Sequence, residues 1–294
     1  MSSPAGDNEA ISSFETNWEK GVFPVLRYTL SPKREWKGKD KKTCLTFLSF
    51  SAFRLRWALS GPLESAITVA AGNLIDPTCS IPDEPYFHFD PENNNDGDDK
   101  KKECQRHAIS RDAFTEPPIS SVTIRVSPLV EWEGNWLDIH QDHVSCGEDD
   151  NDENTVLGDL PEDEHAEWEE IEIDGQGSGH LLVCCGSARP RKSAVKYQMT
   201  VKSKTKEEGG LGFITVHDFL GQVHPWLMEI KADILEAKAV ATALLQSRDE
   251  VPSREEILAT DGGMKLFVGG ASPRDLSILD EAQWADERRA VIHS

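Results

Sequence analysis

The stretch FITVHDFLGQVHPWLMEIKADIL, residues 213–235, carries the strongest fold signal in the chain. Thr215, followed three residues later by Asp218, has the pattern of a helix N-cap with an acidic third residue. Behind this cap, apolar residues recur at intervals of three and four, as on one face of a helix. They are Phe219, Leu220, Val223, Leu227, Ile230 and Ile234. The stretch therefore predicts a capped helix with Phe219, Val223, Leu227 and Ile230 buried.

Pro225 interrupts this predicted helix. A proline inside a helix cannot bond the carbonyl four residues earlier, here that of Gly221, and it biases His224 away from helical angles. We therefore expect either a kink or two abutting helices, with Pro225 at the first position of the second. The Ala-rich residues 232–246 continue the helical pattern.

Alternation of apolar and polar residues before this helix predicts a β-sheet. Residues 121–126 alternate strictly, and Trp132 and Trp136 belong to a predicted second strand that starts at Glu131 and continues after Gly134 to Ile139. The glycine-rich residues 175–179 predict a hairpin turn between two further strands. The sequence thus predicts an α+β fold, an antiparallel β-sheet covered by a C-terminal kinked helical segment, with disordered acidic insertions.

Composition shifts along the chain suggest its domain organisation. Residues 1–20 are predicted to be a flexible N-terminus with a short helix, and residues 21–270 a single α+β domain. Two insertions, near 90–104 and 147–165, are too polar to bury a core and are predicted to be disordered. Residues 271–294 are predicted to be a C-terminal tail with helical character.

Charge and hydrophobicity narrow the classes of partner. The 294 residues, 38% of them hydrophobic, suffice for a real core, and the formal net charge is −21. This charge argues against nucleic acid and favours a basic protein partner. No apolar run approaches the ~20 residues that span a bilayer, which argues against a membrane protein. No signal peptide is recognisable, and the six cysteines are irregularly spaced, so we expect a cytoplasmic or nuclear protein with reduced thiols.

Three residues on the predicted helix are candidates for acid-base chemistry. His217 and His224 lie seven residues apart, and Asp218 is adjacent to the first. A histidine base oriented by a carboxylate needs such residue types close together. However, Asp218 is also explained by its charge at a helix N-terminus, and His224 by its place before Pro225. Structural roles are the favoured interpretation.

A second cluster consists of potential metal ligands. His140, His143 and Cys146 place two imidazoles and a thiol within seven residues, a set that zinc accepts. A polar strand end explains the segment at least as well, because the chain has no Cys-x-x-Cys pair. Cys184 and Cys185 fall in a predicted buried strand, where thiols are normally inert. The sequence therefore predicts neither a resident metal nor a cofactor.

Several of these segments together resemble a known family. The turn DAFTEPP at 112–118, the strand 122–126, tryptophan-bearing strands and the helix start ITVHDFL at 214–220 occur in this order. This order resembles uncharacterised fungal domains of unknown function, which share a Pro-Pro turn, a Trp-bearing strand and a Thr-Val-x-Asp-Val-Leu helix start. The resemblance spans residues 22–240 in outline. It implies a small α+β domain and a fungal origin, and it implies no activity.

These observations leave two hypotheses about function. No Gly-x-Ser-x-Gly elbow, HExxH pair or Walker motif occurs in the chain, so a non-catalytic protein-interaction or scaffold role is favoured. The alternative is a small-molecule enzyme or ligand-binding protein with a histidine-lined site between sheet and helix, using His217, His224 or His140. A pocket lined by two of these histidines would favour the alternative.

Overall fold

The computed structural model describes residues 46–70, 83–89, 104–145, 155–160, 171–173, 177–190, 197–204, 209–246, 254–260, 265–270 and 272–293. The predicted N-terminal helix and most of the two predicted insertions lie outside these ranges.

The described residues form fifteen strands and seven α-helices. The strands are β1 (Phe47–Leu48), β2 (Leu55–Ala58), β3 (Ile67–Val69), β4 (Glu84–Pro85), β5 (Phe87–Phe89), β6 (Cys104–Arg106), β7 (Thr115–Glu116), β8 (Ser121–Val126), β9 (Val156–Gly158), β10 (Ile171–Ile173), β11 (Gly177–Cys184), β12 (Ser187–Ala188), β13 (Gln198–Lys202), β14 (Leu266–Gly269) and β15 (Asp275–Asp280). The helices are α1 (Phe50–Phe53), α2 (Leu63–Ala66), α3 (Ser127–Ser145), α4 (Val216–Glu229), α5 (Lys231–Leu245), α6 (Arg254–Thr260) and α7 (Glu281–His293). A 3-10 helix occupies Ala108–Arg111.

A seven-stranded sheet with the order β13-β8-β15-β14-β2-β3-β4 organises the fold. Its neighbours pair antiparallel except β8 and β15, which run parallel with Leu276 opposite Val126. The α+β class is confirmed, and the sheet, predicted as antiparallel, is mixed because it contains this one parallel pair. The parallel pair arises because a long excursion separates β8 from β15, so that the chain re-enters the sheet in the same direction.

Strand β8 has the predicted alternation of buried and exposed residues. Val122, Ile124 and Val126 are buried, and the residues between them face solvent. Burying one such aliphatic side chain contributes about 1.5–3 kcal/mol relative to exposing it. The same core contains apolar residues of the neighbouring strands, namely Leu55, Trp57, Val201, Leu266, Val268, Leu276 and Ile278.

Part of the segment 271–294, predicted to be a tail, belongs to the sheet. Strand β15 lies between β8 and β14, with buried Leu276 and Ile278 alternating along it. Helix α7 follows directly, which confirms the helical part of the prediction. The alternation in β15 was overlooked because the strand begins and ends with Asp275 and Asp280, and aspartate is uncommon in strands.

Arg56 of β2 connects helix α7 to the sheet. Its Nη2 donates to Glu281 at 2.5 Å and its Nη1 to Asp83 at 3.4 Å. The guanidinium also lies over the rings of Phe267 and Trp284, 5.0 and 5.5 Å from their centroids. One arginine therefore contacts residues from three separate parts of the chain, through ion pairs and cation-π contacts.

Helix α4 contains Pro225 in its interior and continues to Glu229. Pro225 and Gly221 are both exposed, so the carbonyl that the proline leaves unbonded lies on a turn that water can reach. The chain leaves helical geometry only at Ile230, with φ −97° and ψ 9°, before α5 begins. A second helix beginning at Pro225, one of the two expected alternatives, was therefore wrong.

The predicted apolar face of this helical segment is confirmed. Phe219, Val223 and Leu227 are fully buried, and Ile230 is 2% exposed. Helix α4 contacts the sheet through Trp57 of β2, whose ring meets Phe219 edge-on. These contacts place the N-terminal half of α4 beside the sheet.

Helix α3 occupies residues for which the sequence predicted a second strand. It is a single helix of 19 residues, so the prediction of a strand carrying Trp132 and Trp136 was wrong. Its buried residues recur at intervals of three, four and one, which is helical spacing. They are Leu129, Trp132, Glu133, Trp136, Ile139 and His140.

Within the described part of the chain, no helix combines the length and apolarity needed to cross a bilayer.

A small sheet formed by β9 to β12 packs against α3. Strands β10 and β11 pair antiparallel around the glycine-rich residues, as predicted for the hairpin. Strand β9 also pairs with β11, so the prediction of disorder was wrong for residues 155–160. Arg189, just after β12, donates to Glu133 of α3 at 2.6 Å, and Trp136 Nε1 donates to Ser187 Oγ at 3.1 Å. We call these contacts the α3–hairpin seam.

Candidate functional site

Asp218, one of the candidate catalytic residues, forms the N-terminal cap of α4. Thr215 Oγ1 accepts a hydrogen bond from Asp218 N at 3.0 Å. Asp218 Oδ2 accepts in return from Thr215 N at 3.3 Å and from Thr215 Oγ1 at 2.8 Å. Both halves of the capping box are therefore present. The carboxylate of Asp218 is therefore explained by its role in capping helix α4.

We expect Thr215→Ala to lower the free energy of unfolding by about 1–2 kcal/mol, because the cap loses the side chain that accepts from Asp218 N. Thr215→Ser keeps the hydroxyl and is expected to stay within a few tenths of a kcal/mol of the native protein. Urea unfolding of the two variants measures the difference. Equal losses for alanine and serine would contradict a hydrogen-bonded cap.

His224, the second candidate, is held at both ring nitrogens. Trp57 Nε1 donates to His224 Nδ1 at 3.0 Å, and His224 Nε2 lies 3.0 Å from the carbonyl oxygen of Gly61. An indole N–H can only donate and a carbonyl can only accept, so the neutral ring with its proton on Nε2 satisfies both bonds. Burial lowers the pKa of His224 below its ordinary value of 6.5. This histidine joins α4, β2 and the loop at Gly61.

The lowered pKa of His224 makes stability depend on pH. Between its folded-state pKa and 6.5, the unfolded chain binds a proton that the folded protein does not. The contribution of neutral His224 is therefore complete above pH 6.5 and is lost as the pH falls through that window. The loss is expected to be on the order of 1 kcal/mol, the net value of the bond from Trp57 that protonation of Nδ1 breaks.

His224→Gln isolates this effect, because glutamine does not titrate. Urea unfolding at several pH values from 7.5 down to about 5 should give a shallower decline for the variant than for the native protein. His217→Gln is a useful comparison, since burial also lowers the pKa of His217. Identical pH slopes for the native protein and His224→Gln would rule out the assigned bonding.

His217, the third candidate, lies in a different environment. Its ring is stacked on Tyr86 with a 15° interplanar angle and a centroid distance of 6.4 Å, and Phe87 meets it edge-on. Tyr86 is fully buried. Among the described residues, neither the Tyr86 hydroxyl nor His217 Nδ1 has a hydrogen-bond partner. Two buried polar atoms thus lie here without a hydrogen-bond partner in the described part of the chain.

Electrostatics around this pair favour neutral rings. Burial lowers the pKa of His217, and the cations Arg106 and Lys204 lower it further, while Asp218 opposes them. Burial likewise raises the pKa of the Tyr86 phenol. At neutral pH the pair thus presents a phenol that can donate a hydrogen bond and an imidazole that can accept or donate one.

Of the three candidate metal ligands from the sequence, the structure describes the side chain of His140, which is buried in α3. The backbone of His143 lies in the same helix, and Cys146 falls outside the described residues. His140 lies beside Cys184 and Cys185, and one ligand atom from each falls within 4.8 Å of the others. The ring of His140 also packs on Trp136, 4.5 Å between centroids.

The sequence predicts Cys184 and Cys185 together in a buried strand, and this prediction was wrong for Cys185. Strand β11 ends at the buried Cys184, whereas Cys185 is exposed in the turn that leads to β12. The sequence signal for a turn at Cys185 was the glycine that follows it, Gly186, because glycine commonly marks a turn between strands.

The three candidate histidines therefore have separate surroundings. His224 bonds Trp57 and Gly61, His217 stacks on Tyr86, and His140 lies with the two cysteines. Two of the segments that carry the family resemblance, the turn 112–118 and the helix start 214–220, are in contact: Phe114 stacks on Phe219 with ring centroids 3.6 Å apart. Comparison of the chain with protein-family models, curated proteins and solved structures gives no match.

Proposed function

We propose that the protein is a non-catalytic interaction protein that binds a basic protein partner in the cytoplasm or nucleus. The observation that carries this proposal is the formal net charge of −21. Like-charged partners are repelled by such a surface, whereas a basic partner is attracted and oriented by it.

The use of cations inside the fold supports the proposal. Five described basic residues, Arg54, Arg56, Arg125, Arg189 and Lys238, each donate to an acceptor elsewhere in the chain. Lys238 is bound to the carbonyl of Ile278, and burial lowers its pKa. Cations that already bind internal acceptors are poor sites for an external acidic partner. The surface charge that a partner encounters is therefore dominated by the excess of carboxylates.

The roles of Asp218 and His224 support the non-catalytic part of the proposal. Asp218 makes the hydrogen bonds of a helix cap, and His224 makes those of a core contact. In these contacts, neither side chain faces a second reactive group. A general base must instead reach the proton that it removes.

Fluorescence anisotropy with a labelled lysine-rich peptide tests the interaction, with a neutral peptide of the same length as control. We expect binding of the basic peptide that weakens by about tenfold or more when salt rises from about 50 mM to about 200 mM. Absent binding, or binding that salt does not change, would overturn the electrostatic proposal. Robust turnover of any substrate in a screen of hydrolase and transferase reactions would overturn the non-catalytic one.

A second candidate function is small-molecule binding at Tyr86 and His217. Two polar atoms without hydrogen-bond partners in the described structure favour it, because leaving such groups unbonded costs roughly 1–3 kcal/mol each. A bound molecule with one acceptor and one donor would satisfy both. Arg106 and Lys204 would further attract a molecule that carries an anionic group.

Tyr86→Phe separates this candidate from a purely structural tyrosine. In ligand-free protein we expect the variant to be more stable by about 1 kcal/mol, because it removes a buried hydroxyl without a bond. Any small molecule that raises the Tm of the native protein through this site should lose that effect in the variant. A stability loss in ligand-free Tyr86→Phe would show that the hydroxyl has a partner.

A further inference from the structure

The spacing of the two cysteine sulfurs at the end of β11 fits a metal ion. Cys184 Sγ and Cys185 Sγ are 3.6 Å apart. Two thiolates bound to one tetrahedral zinc ion at ~2.3 Å each lie about 3.8 Å from each other. A disulfide would instead bring the sulfurs to ~2.05 Å. The observed separation is thus close to that of two ligands of one cation.

The backbone of Cys185 has a conformation that a cysteine rarely adopts. Its φ is +52°, and among the described residues it is the one non-glycine residue with a positive φ. Gly186 follows with φ +73°, so the turn between β11 and β12 has two positive φ values, as in a type I′ hairpin. Asparagine and glycine are the usual residues at the first of these positions. A strained residue of another type is a reason to look for a function.

The same turn explains how adjacent cysteines come to share one side. Successive side chains of an extended strand point to opposite faces of the sheet. The left-handed conformation of Cys185 interrupts this alternation directly after Cys184, and the two sulfurs come into contact. His140 supplies the third ligand atom from helix α3, and Cys184 and His140 are buried.

The α3–hairpin seam holds the three residues in place from both sides. Arg189 binds Glu133 and Ser187 binds Trp136, so the strand after the turn is fixed to one turn of α3. Trp136 in turn packs against His140. The ligand atoms are therefore positioned by packing before a cation arrives, which reduces the ordering that binding requires.

We infer that His140, Cys184 and Cys185 form a binding site for a thiophilic cation, Zn²⁺ or Cu⁺. Two thiolates and an imidazole suit these soft or borderline ions, and the set lacks the oxygen ligands that Mg²⁺ and Ca²⁺ prefer. Binding releases to solvent the protons that the two thiols carry, because the thiolate is the ligand form. Cys185 is exposed, so one side of the site stays open to a fourth ligand.

Metal titration of the reduced, metal-free full-length protein tests the inference. Co²⁺ serves as a spectroscopic substitute for Zn²⁺ and should produce a thiolate-to-cobalt charge-transfer band with one equivalent, which Zn²⁺ then abolishes. A second titration with Cu⁺ against a coloured Cu⁺ chelator distinguishes the two ions. Absence of stoichiometric binding in both titrations overturns the site.

Substitution of each proposed ligand tests whether that residue binds the metal. Loss of an outer contact to a ligand weakens metal binding by about 10- to 100-fold, so Cys184→Ser, Cys185→Asn and His140→Phe should each weaken it by at least about 100-fold. Cys104→Ser is the matched control, since Cys104 is a free thiol in strand β6, and it should bind as the native protein does. Binding that Cys184→Ser and Cys185→Asn leave unchanged contradicts the assignment, as does binding that Cys104→Ser abolishes.

Cys185→Asn also controls for misfolding, because this variant is expected to fold at least as well as the native protein. It places Asn-Gly in the turn, the preferred type I′ pair, so the metal-free variant should unfold about 2–4 °C higher than the native protein. Added Zn²⁺ or Cu⁺ should raise the Tm of the native protein and leave that of the variant unchanged. A metal-induced rise of equal size in both proteins overturns the role of Cys185.

Discussion

Arg189→Met is expected to lower the free energy of unfolding by about 3–5 kcal/mol. The reason is that it leaves the carboxylate of Glu133 buried without its counter-charge. Both side chains of the pair are almost fully buried, 3% and 4% exposed, and their closest atoms are 2.6 Å apart. Arg189 Nη1 also lies 3.4 Å from the carbonyl oxygen of Leu181, so the substitution weakens a second contact.

The double variant Glu133→Leu with Arg189→Met should be much less destabilised than Arg189→Met alone. Replacing both charges with apolar side chains removes the desolvation cost together with the attraction, and such replacements are often neutral. Urea unfolding of both singles and the double gives the coupling energy. The exposed pair of Arg125 and Asp275 is the control, and Arg125→Met should cost less than about 1 kcal/mol.

Two results would contradict this account of the seam. A cost of Arg189→Met no larger than that of Arg125→Met would mean that the buried pair is not formed in solution. A double variant as unstable as the sum of the two singles would mean that the side chains act independently. The double variant also changes the packing around His140, because Glu133 and His140 lie on the same face of helix α3.

Sequence alone predicted α4 because its signals are local. The cap of Thr215 and Asp218 acts over three residues, and the apolar face repeats within one segment. Pro225 was recognised as a residue that disturbs a helix, but the expected break at Pro225 was too strong. Sequence alone does not show that Pro225 is exposed, and at an exposed proline water can bond the carbonyl that the proline leaves free.

Helix α3 was missed because its buried face contains polar residues. Glu133 and His140 stand at positions of the helical repeat that an apolar pattern would fill, so the repeat looked incomplete. Their partners, Arg189 and the two cysteines, come from a hairpin about 50 residues later in the chain. Tryptophan's preference for strands and the glycine at 134 then favoured the wrong assignment.

The candidate site was predicted in part for a similar reason. His140 was identified as a potential ligand, but its sequence neighbours His143 and Cys146 were taken as its companions. The observed companions, Cys184 and Cys185, reach it through tertiary packing. Spacing identifies metal ligands when they share one loop, and it fails when a helix and a distant turn each supply part of the set.

Phe219→Ala is expected to lower the free energy of unfolding by about 3–5 kcal/mol, the usual cost of truncating a buried aromatic residue. Phe219 is fully buried. It stacks on Phe114 at 3.6 Å between centroids and meets Trp57 edge-on at 6.4 Å. The variant thus removes the contact that joins α4 both to the turn at 112–118 and to the sheet.

Two further variants show whether packing or helix propensity sets this cost. Leu245→Ala, at the end of α5, truncates an apolar residue that is 85% exposed, and it should change stability by less than about 0.5 kcal/mol. Phe219→Leu keeps most of the volume and loses the ring stacking, so we expect an intermediate loss of about 1–2 kcal/mol. Urea unfolding orders the three. If Phe219→Ala costs no more than Leu245→Ala, then α4 is not packed against Phe114 and Trp57, because a cavity at that place must carry a cost.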